Sequence, residues 1–167
     1  MLKRFCDGID RVNEWMGWFW GLTVIAVTIA VIYEVIARTT FGKPTLWSNE
    51  FTIYLSAMTY LIAGGYALRH RRHVRIDVIY EKLSPKARTG LDLATFIFFV
   101  GYAGTLVWVG TEMAWGSFLM RETTATPWDP PIWPVKAAIP LAGLLLLLQG
   151  IANLLRDLGL APATNPQ

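Results

Sequence analysis

Four long apolar runs dominate the sequence, and the charged residues are confined to the segments between them. Each run is 18 or 19 residues long and contains no Asp, Glu, Lys or Arg; the runs are Trp15–Tyr33, Phe51–Leu68, Leu93–Thr111 and Ala137–Leu155. A helix rises about 1.5 Å per residue, so each run spans close to the ~30 Å hydrocarbon thickness of a bilayer. The alternation typical of membrane β-strands is absent from these runs. The pattern therefore predicts an all-α integral membrane protein with four transmembrane helices.

The segments around the runs predict one domain. We expect transmembrane spans at about residues 15–37, 47–69, 88–116 and 134–156, inside a single four-helix membrane domain over residues 1–160. Residues 161–167 then form a short polar tail. The residues outside the runs are divided among five segments, and none is long enough for a catalytic domain. We therefore do not expect an enzyme.

Charge distribution predicts the orientation. Eleven of the 15 Lys and Arg residues fall in the amino-terminal segment, the middle loop and the carboxyl-terminal segment, which share one side of a four-span protein. The opposite side has only four, namely Arg38, Lys43, Arg121 and Lys136. The positive-inside rule then places both termini in the cytoplasm. The pI of about 9.2 reflects this topology and does not indicate nucleic-acid binding.

The loops and the small residues add detail. Residues 71–83 mix apolar and basic positions, which favours a short interfacial helix against lipid headgroups in the middle cytoplasmic loop. Residues 123–134 contain four prolines and two tryptophans and should be non-helical. Residues 141–148 have no polar group, so we expect them to face lipid largely. Candidates for close helix approach are the glycines at 17, 21, 64, 65, 101, 104 and 110.

Several ionisable residues lie near the predicted outer ends of the helices, and none lies at mid-membrane depth. Glu34 and Arg38 are four residues apart in the acid-first order, so they can pair on one helix face. Glu50 lies across a short loop, which makes an interhelical Arg38–Glu50 pair plausible as well. These charges can fix the bundle geometry, take part in ion coupling or dock a partner. The two histidines, His70 and His73, do not form a haem or zinc pattern.

The segment between the first two helices carries a spaced motif of five residues: Arg38, Phe41, Pro44, Trp47 and Glu50. It resembles the R-Y-x-F-x-x-P-x-x-W-x-x-E signature of the small membrane subunit of tripartite ATP-independent periplasmic (TRAP) transporters. Thr39 stands where that signature has tyrosine. A second resemblance, to the H-V-x-V-D signature, runs from His73 to Asp77.

This resemblance implies a non-catalytic small permease subunit in the bacterial inner membrane, with no cofactor of its own. Such a subunit scaffolds a large membrane subunit, which imports an organic acid or related solute delivered by a periplasmic binding protein. Sodium coupling would reside in the large subunit. The expected partners are these two proteins and membrane lipids, without nucleic acid. The residues themselves also leave room for an autonomous four-helix exporter or a membrane anchor subunit of a redox enzyme.

Overall fold

A computed structural model of the chain describes residues 2–70 and 85–160, apart from the side chains of residues 85–89, 91–93 and 157. This part contains four α-helices, each long and apolar enough to cross a membrane. They are α1 (Leu2–Phe41), α2 (Ser48–Arg69), α3 (Pro85–Leu119) and α4 (Trp133–Asp157). The prediction of an all-α protein with four membrane-length helices is confirmed. The predicted interfacial helix and the polar tail lie outside the described residues.

Helix α1 extends far beyond the predicted first span. Its 40 residues correspond to about 60 Å, roughly twice the hydrocarbon thickness of a bilayer. The additional turns lie before residue 15 and are rich in charge, but they also bury Cys6 and Ile9. These two side chains pack against Ala152 near the end of α4. The amino-terminal turns of α1 are therefore fixed by the carboxyl-terminal turns of α4.

The helices are not packed symmetrically around a central axis. Helix α2 lies between α1 and α4, and α4 lies between α2 and α3; α1 also contacts α4. As a result, α4 is the most enclosed of the four helices and α1 is the most exposed. The expectation that residues 141–148 largely face lipid was wrong. Ala142, Leu145 and Leu146 are buried, because an apolar stretch of helix can pack on other helices as readily as on lipid.

Two glycines allow α3 and α4 to approach closely. A Cβ atom added at Gly110 would lie 2.9 Å from Cδ of Pro140, which is inside α4. A Cβ atom at Gly143 would lie 3.1 Å from the backbone oxygen of Ala103. Neither neighbour is the flexible end of a side chain, so a larger residue at either glycine would separate the helices. By contrast, Gly104 has open space around the same position.

The α1–α2 and α3–α4 connections lie at the end of the bundle away from Cys6 and Ile9. The α1–α2 connection covers residues 42–47, and Gly42 adopts a positive φ of 61° just after α1 ends. Ser48 closes this connection by donating a hydrogen bond to the backbone oxygen of Ala30, 3.1 Å away. The α3–α4 connection, residues 120–132, is non-helical as expected and contains an isolated bridge between Thr123 and Pro131. Helix α4 begins at Trp133, one residue before the end of the predicted loop.

Candidate functional site

Glu34 organises the end of α1 that is next to the α1–α2 loop. It accepts two hydrogen bonds from the guanidinium of Arg38, the shorter one 2.8 Å. Its other carboxylate oxygen accepts a bond from the backbone N–H of Thr45 at 3.0 Å and one from the Thr45 hydroxyl. One carboxylate thus joins an arginine on its own helix to the loop that follows. The Glu34–Arg38 pair is the one that the four-residue spacing suggested.

Glu50 has a different partner from the one expected. Its carboxylate accepts a hydrogen bond from the hydroxyl of Thr124 at 3.1 Å, which ties the start of α2 to the α3–α4 loop. Arg38 is instead directed toward Glu34, and its side chain is 65% exposed. The proposed interhelical pair between Arg38 and Glu50 is therefore corrected. Arg38 is engaged by Glu34 of its own helix, and Glu50 by Thr124 of the α3–α4 loop.

The remaining motif residues differ in whether they pack against other parts of the chain. The Trp47 ring packs against Tyr33 of α1 and Phe51 of α2, with centroid separations of 6.1 and 5.8 Å. Phe41, in contrast, is 69% exposed at the end of α1, and Pro44 is exposed in the loop. Trp47 therefore helps to hold the loop in place, while Phe41 and Pro44 are accessible from outside the chain. The second motif, with His73 and Asp77, lies outside the described residues.

A second ion pair at this end joins the α3–α4 loop to α4. Nζ of Lys136 donates a hydrogen bond to Glu122. This bond is the main reason that the pKa of the Glu122 carboxyl lies below its ordinary value. Because this pKa is lower in the folded than in the unfolded protein, the ionised Glu122 stabilises the fold at pH values above the ordinary glutamate pKa. The stabilisation is lost as the pH falls through the pKa of the folded protein.

Replacing Glu34 with glutamine should loosen the α1–α2 loop, because a neutral amide accepts the Thr45 bonds more weakly than a carboxylate. We expect faster hydrogen–deuterium exchange across residues 42–47, measured by mass spectrometry on the purified protein. Thr39→Val is the matched control, since that hydroxyl bonds only to the Val35 oxygen of its own helix. Unchanged exchange in the Glu34 variant would show that the loop is held by other contacts.

The opposite end of the bundle contains a buried polar network that connects α1 with α4. The guanidinium of Arg156 donates two hydrogen bonds to the Asp10 carboxylate, at 3.1 and 2.7 Å. Gln149 donates to the same carboxylate at 2.9 Å and accepts from the Asn13 amide at 2.8 Å. All four side chains are buried. This end of the protein is therefore held together by charge and hydrogen bonding.

Helix α2 is joined to the same end by two further contacts. The Asn153 amide of α4 donates to the backbone oxygen of Leu68 at 3.2 Å. Arg69 forms an ion pair with Glu14 of α1, and Nε2 of His70 lies 3.7 Å from the same carboxylate. Three helices thus meet through polar side chains near the ends of their apolar runs.

This network was not identified from the sequence, although a signal for it was present. Gln149, Asn153 and Arg156 recur at intervals of four and three residues, which places them on one face of α4. Asp10 and Asn13 have the corresponding spacing on α1. A polar stripe at the end of an apolar helix needs a polar partner, since unpaired polar groups are costly near lipid. The matching polar stripes on α1 and α4 are therefore the signal for a contact between the first and last helices.

The two polar clusters stabilise the ends of the helices and do not resemble a reaction centre. Their members form ion pairs and hydrogen bonds, several of which join one element to another. Among the described residues, no three His, Cys, Asp or Glu side chains converge to hold a metal ion. Four membrane-length helices with these clusters define a multi-pass membrane protein whose polar side chains mainly connect its own segments.

Comparison with protein families identifies the class more closely. The model of the family described as "Tripartite ATP-independent periplasmic transporters, DctQ component" matches residues 27–160. The chain belongs to this family and is a non-catalytic subunit of a TRAP transporter.

Three relatives agree with this assignment. The small permease protein SiaQ of a sialic acid TRAP transporter from Vibrio cholerae is 24% identical over 163 residues, covering 93% of this chain and 87% of SiaQ. The small permease protein TeaB of an ectoine TRAP transporter from Halomonas elongata is 30% identical over 77 residues, covering 46% of this chain and 40% of TeaB. The sialic acid TRAP transporter permease protein SiaT from Haemophilus influenzae is 29% identical over 93 residues.

The match to SiaT is informative because of its extent. It covers 53% of this chain but only 15% of SiaT, so the chain spans a small part of that longer permease. A segment similar to this small chain therefore occurs inside a much larger permease. This supports a large membrane protein as the partner of the chain.

Proposed function

We propose that the chain is the small permease subunit that scaffolds the large subunit of a sodium-coupled importer. The observation that carries this proposal is the placement of the polar groups. The two polar clusters lie at the ends of the helices, where they join helices and loops of this chain to one another. Between them, α1 and α3 present large apolar side chains outward, such as Ile25, Ile29 and Phe98. Such a body suits a static support in the membrane better than a solute pathway.

The orientation is part of the proposal. Asp10 near the amino terminus contacts Arg156 near the end of α4, so these two parts of the chain lie at the same end of the bundle. Eleven of the 15 basic residues belong to the segments on that side. Following the positive-inside rule, we place both termini in the cytoplasm of a bacterium, with the protein in its inner membrane. Residues 42–47 and 120–132 would then face the periplasm.

We assign transport itself to the partners. The large subunit would move the solute and couple its entry to sodium, and a periplasmic binding protein would deliver the solute. The chain would need no cofactor for its supporting role. The relatives are named for sialic acid in two cases and for ectoine in another. We therefore keep the solute class broad, as an organic acid or related solute.

The exposed part of the five-residue motif is our candidate contact with the large subunit. Phe41 presents an aromatic ring that does not support the fold of this chain, being 69% exposed. Exposed aromatic side chains often supply much of the energy of an interface. Arg38 lies one turn earlier and is also exposed. Glu34, Trp47 and Glu50 would support the surface that displays these two residues.

The test is co-expression of the full chain with its large subunit and binding protein, followed by co-purification and transport assays in vesicles. Phe41→Ser should reduce recovery of the large subunit about tenfold, the effect of removing an interface anchor. Met120→Ser is the control, because Met120 is also exposed, at 81%, at the same end of the bundle but outside the motif. Uptake should require all three proteins and a sodium gradient. Uptake by this chain alone would overturn the scaffold proposal.

A further inference from the structure

An apolar groove lies between the first turns of α1 and the second half of α4. It has a volume of about 340 Å³ and is open on one side. Ile9, Leu145 and Leu148 lie along it, while Phe5 and Val12 form an exposed wall. The apolar lining continues over two turns of α1. A groove of this shape can take a linear hydrocarbon chain.

One edge of the groove is basic. Arg4 lines its outer part, and Arg11 lies seven residues later, which returns to nearly the same angle around α1. Lys3 lies about 180° around the axis of α1 from the centre of the groove. Asp10 is buried on the side of α1 away from the groove, where it pairs with Arg156. Asp7 is exposed three residues after Arg4 and four before Arg11, so it lies beside both arginines and offsets part of their charge. Two cationic side chains therefore border the groove on the side where α1 meets solvent or headgroups.

The depth of the groove fits the boundary of a membrane. Leu145 and Leu148 belong to the uncharged run of α4, whereas Arg4 precedes the uncharged run of α1 by about three turns. Asp10 pairs with Arg156, the residue that directly follows the uncharged run of α4, and so marks the edge of the hydrocarbon. Arg4 precedes Asp10 by six residues, or about 9 Å along α1. The headgroup layer is about 5–8 Å thick on each side of the hydrocarbon, so the Cα atom of Arg4 lies just beyond it and the long side chain can reach back to the phosphates. The groove thus leads from the level of hydrocarbon to the level of phosphate.

We propose that this groove binds one anionic phospholipid of the adjacent leaflet. The phosphate lies against Arg4 and Arg11, and the upper part of an acyl chain lies along Ile9, Leu145 and Leu148. The charge of the groove edge selects an anionic headgroup, because each Lys or Arg near such a surface attracts it. This binding does not depend on the proposed transport role. It depends only on the amino-terminal end of the bundle meeting a lipid leaflet.

Gly8 provides a means of closing the groove without disturbing the protein. It lines the groove between the two arginines, and a Cβ atom added there meets no other atom within 4 Å. Leucine at this position would fill space that the lipid uses. Gly21 has the same open surroundings but faces away from the groove. It therefore offers a matched control for the added side chain.

The test is native mass spectrometry of the full chain, alone and with its large subunit, from nanodiscs of phosphatidylglycerol or phosphatidylcholine. We expect the wild type to retain phosphatidylglycerol preferentially. Arg4→Gln should lower that retention about fivefold, the effect of one basic residue at an anionic surface. Gly8→Leu should abolish retention of either lipid. Lys3→Gln and Gly21→Leu should behave like the wild type.

Three results would overturn the proposal. These are equal retention of the two lipids by the wild type, an equal loss in Lys3→Gln and Arg4→Gln, or full retention in Gly8→Leu. Loss of the lipid when the large subunit binds would show that the groove is a protein contact instead. None of these readouts requires transport, so failure of the scaffold proposal and failure of lipid binding remain distinguishable.

Discussion

Asp10→Asn is expected to lower the free energy of unfolding by about 3 kcal/mol, a large effect for the removal of a single charge. The reason is that the Arg156 guanidinium is only 4% exposed and would remain buried without its counter-charge. Asparagine keeps the size of the side chain and can still accept a bond from Gln149. The variant therefore isolates the charge. Denaturant unfolding in detergent, followed by tryptophan fluorescence, measures the change.

The control for this experiment is Arg38→Gln, which also breaks an ion pair. The Arg38 side chain is 65% exposed, so solvent already screens its pair with Glu34 and the loss should be much smaller. The double variant Asp10→Asn with Arg156→Gln should lose less than the two single variants added together, because no unpaired charge is left buried. Equal losses in Asp10→Asn and Arg38→Gln would contradict the buried network.

Gly110→Ala is expected to destabilise the contact between α3 and α4 by about 1–3 kcal/mol, as overpacking of a close contact does. The new Cβ would lie 2.9 Å from Cδ and 3.0 Å from N of Pro140, and the ring of a proline cannot rotate away. The helices would have to separate along a contact that also includes Gly143. The midpoint of thermal unfolding in detergent should fall accordingly.

Gly104→Ala is the matched control on the same helix. Its added Cβ meets no atom within 4 Å, and alanine favours a helix over glycine by up to about 1 kcal/mol. This variant should therefore unfold at the same temperature as the wild type or slightly higher. If Gly110→Ala behaved in the same way, the close approach of α3 to Pro140 would be incorrect.

The local charge pair was predictable, and the long-range contacts were not. Glu34 and Arg38 are one turn apart, so the helix itself brings them together once it forms. Glu50 and its partner Thr124 are 74 residues apart in the chain, and Asp10 and Arg156 are 146 apart. The number of residues between the members of each pair does not indicate which loop or helix will pack against Glu50 or Asp10. That choice follows from the order in which the helices pack.

The glycines also show that long-range contacts cannot be predicted from the local sequence. The sequence identified Gly17, Gly104 and Gly110 equally as small residues in apolar helices. In the folded protein, Gly17 lies against the Tyr66 ring and Gly110 against Pro140, while Gly104 has open space. Small size permits a close approach, but whether another helix occupies that side of the residue depends on the whole arrangement.

Four membrane-length helices, the positions of the connections between them, and the family motif were predictable from the amino-acid pattern alone. These follow from the length of the uncharged runs and from the cost of placing charge or bare backbone in hydrocarbon, which are local properties of the chain. The enclosure of α4 and the contact between Asp10 and Arg156 became evident only in the folded protein. The physical reason is that lipid and a neighbouring helix are equally apolar surroundings for leucine. Which of the two covers a given face is settled by the fit of small residues and by polar partners that come from distant parts of the chain.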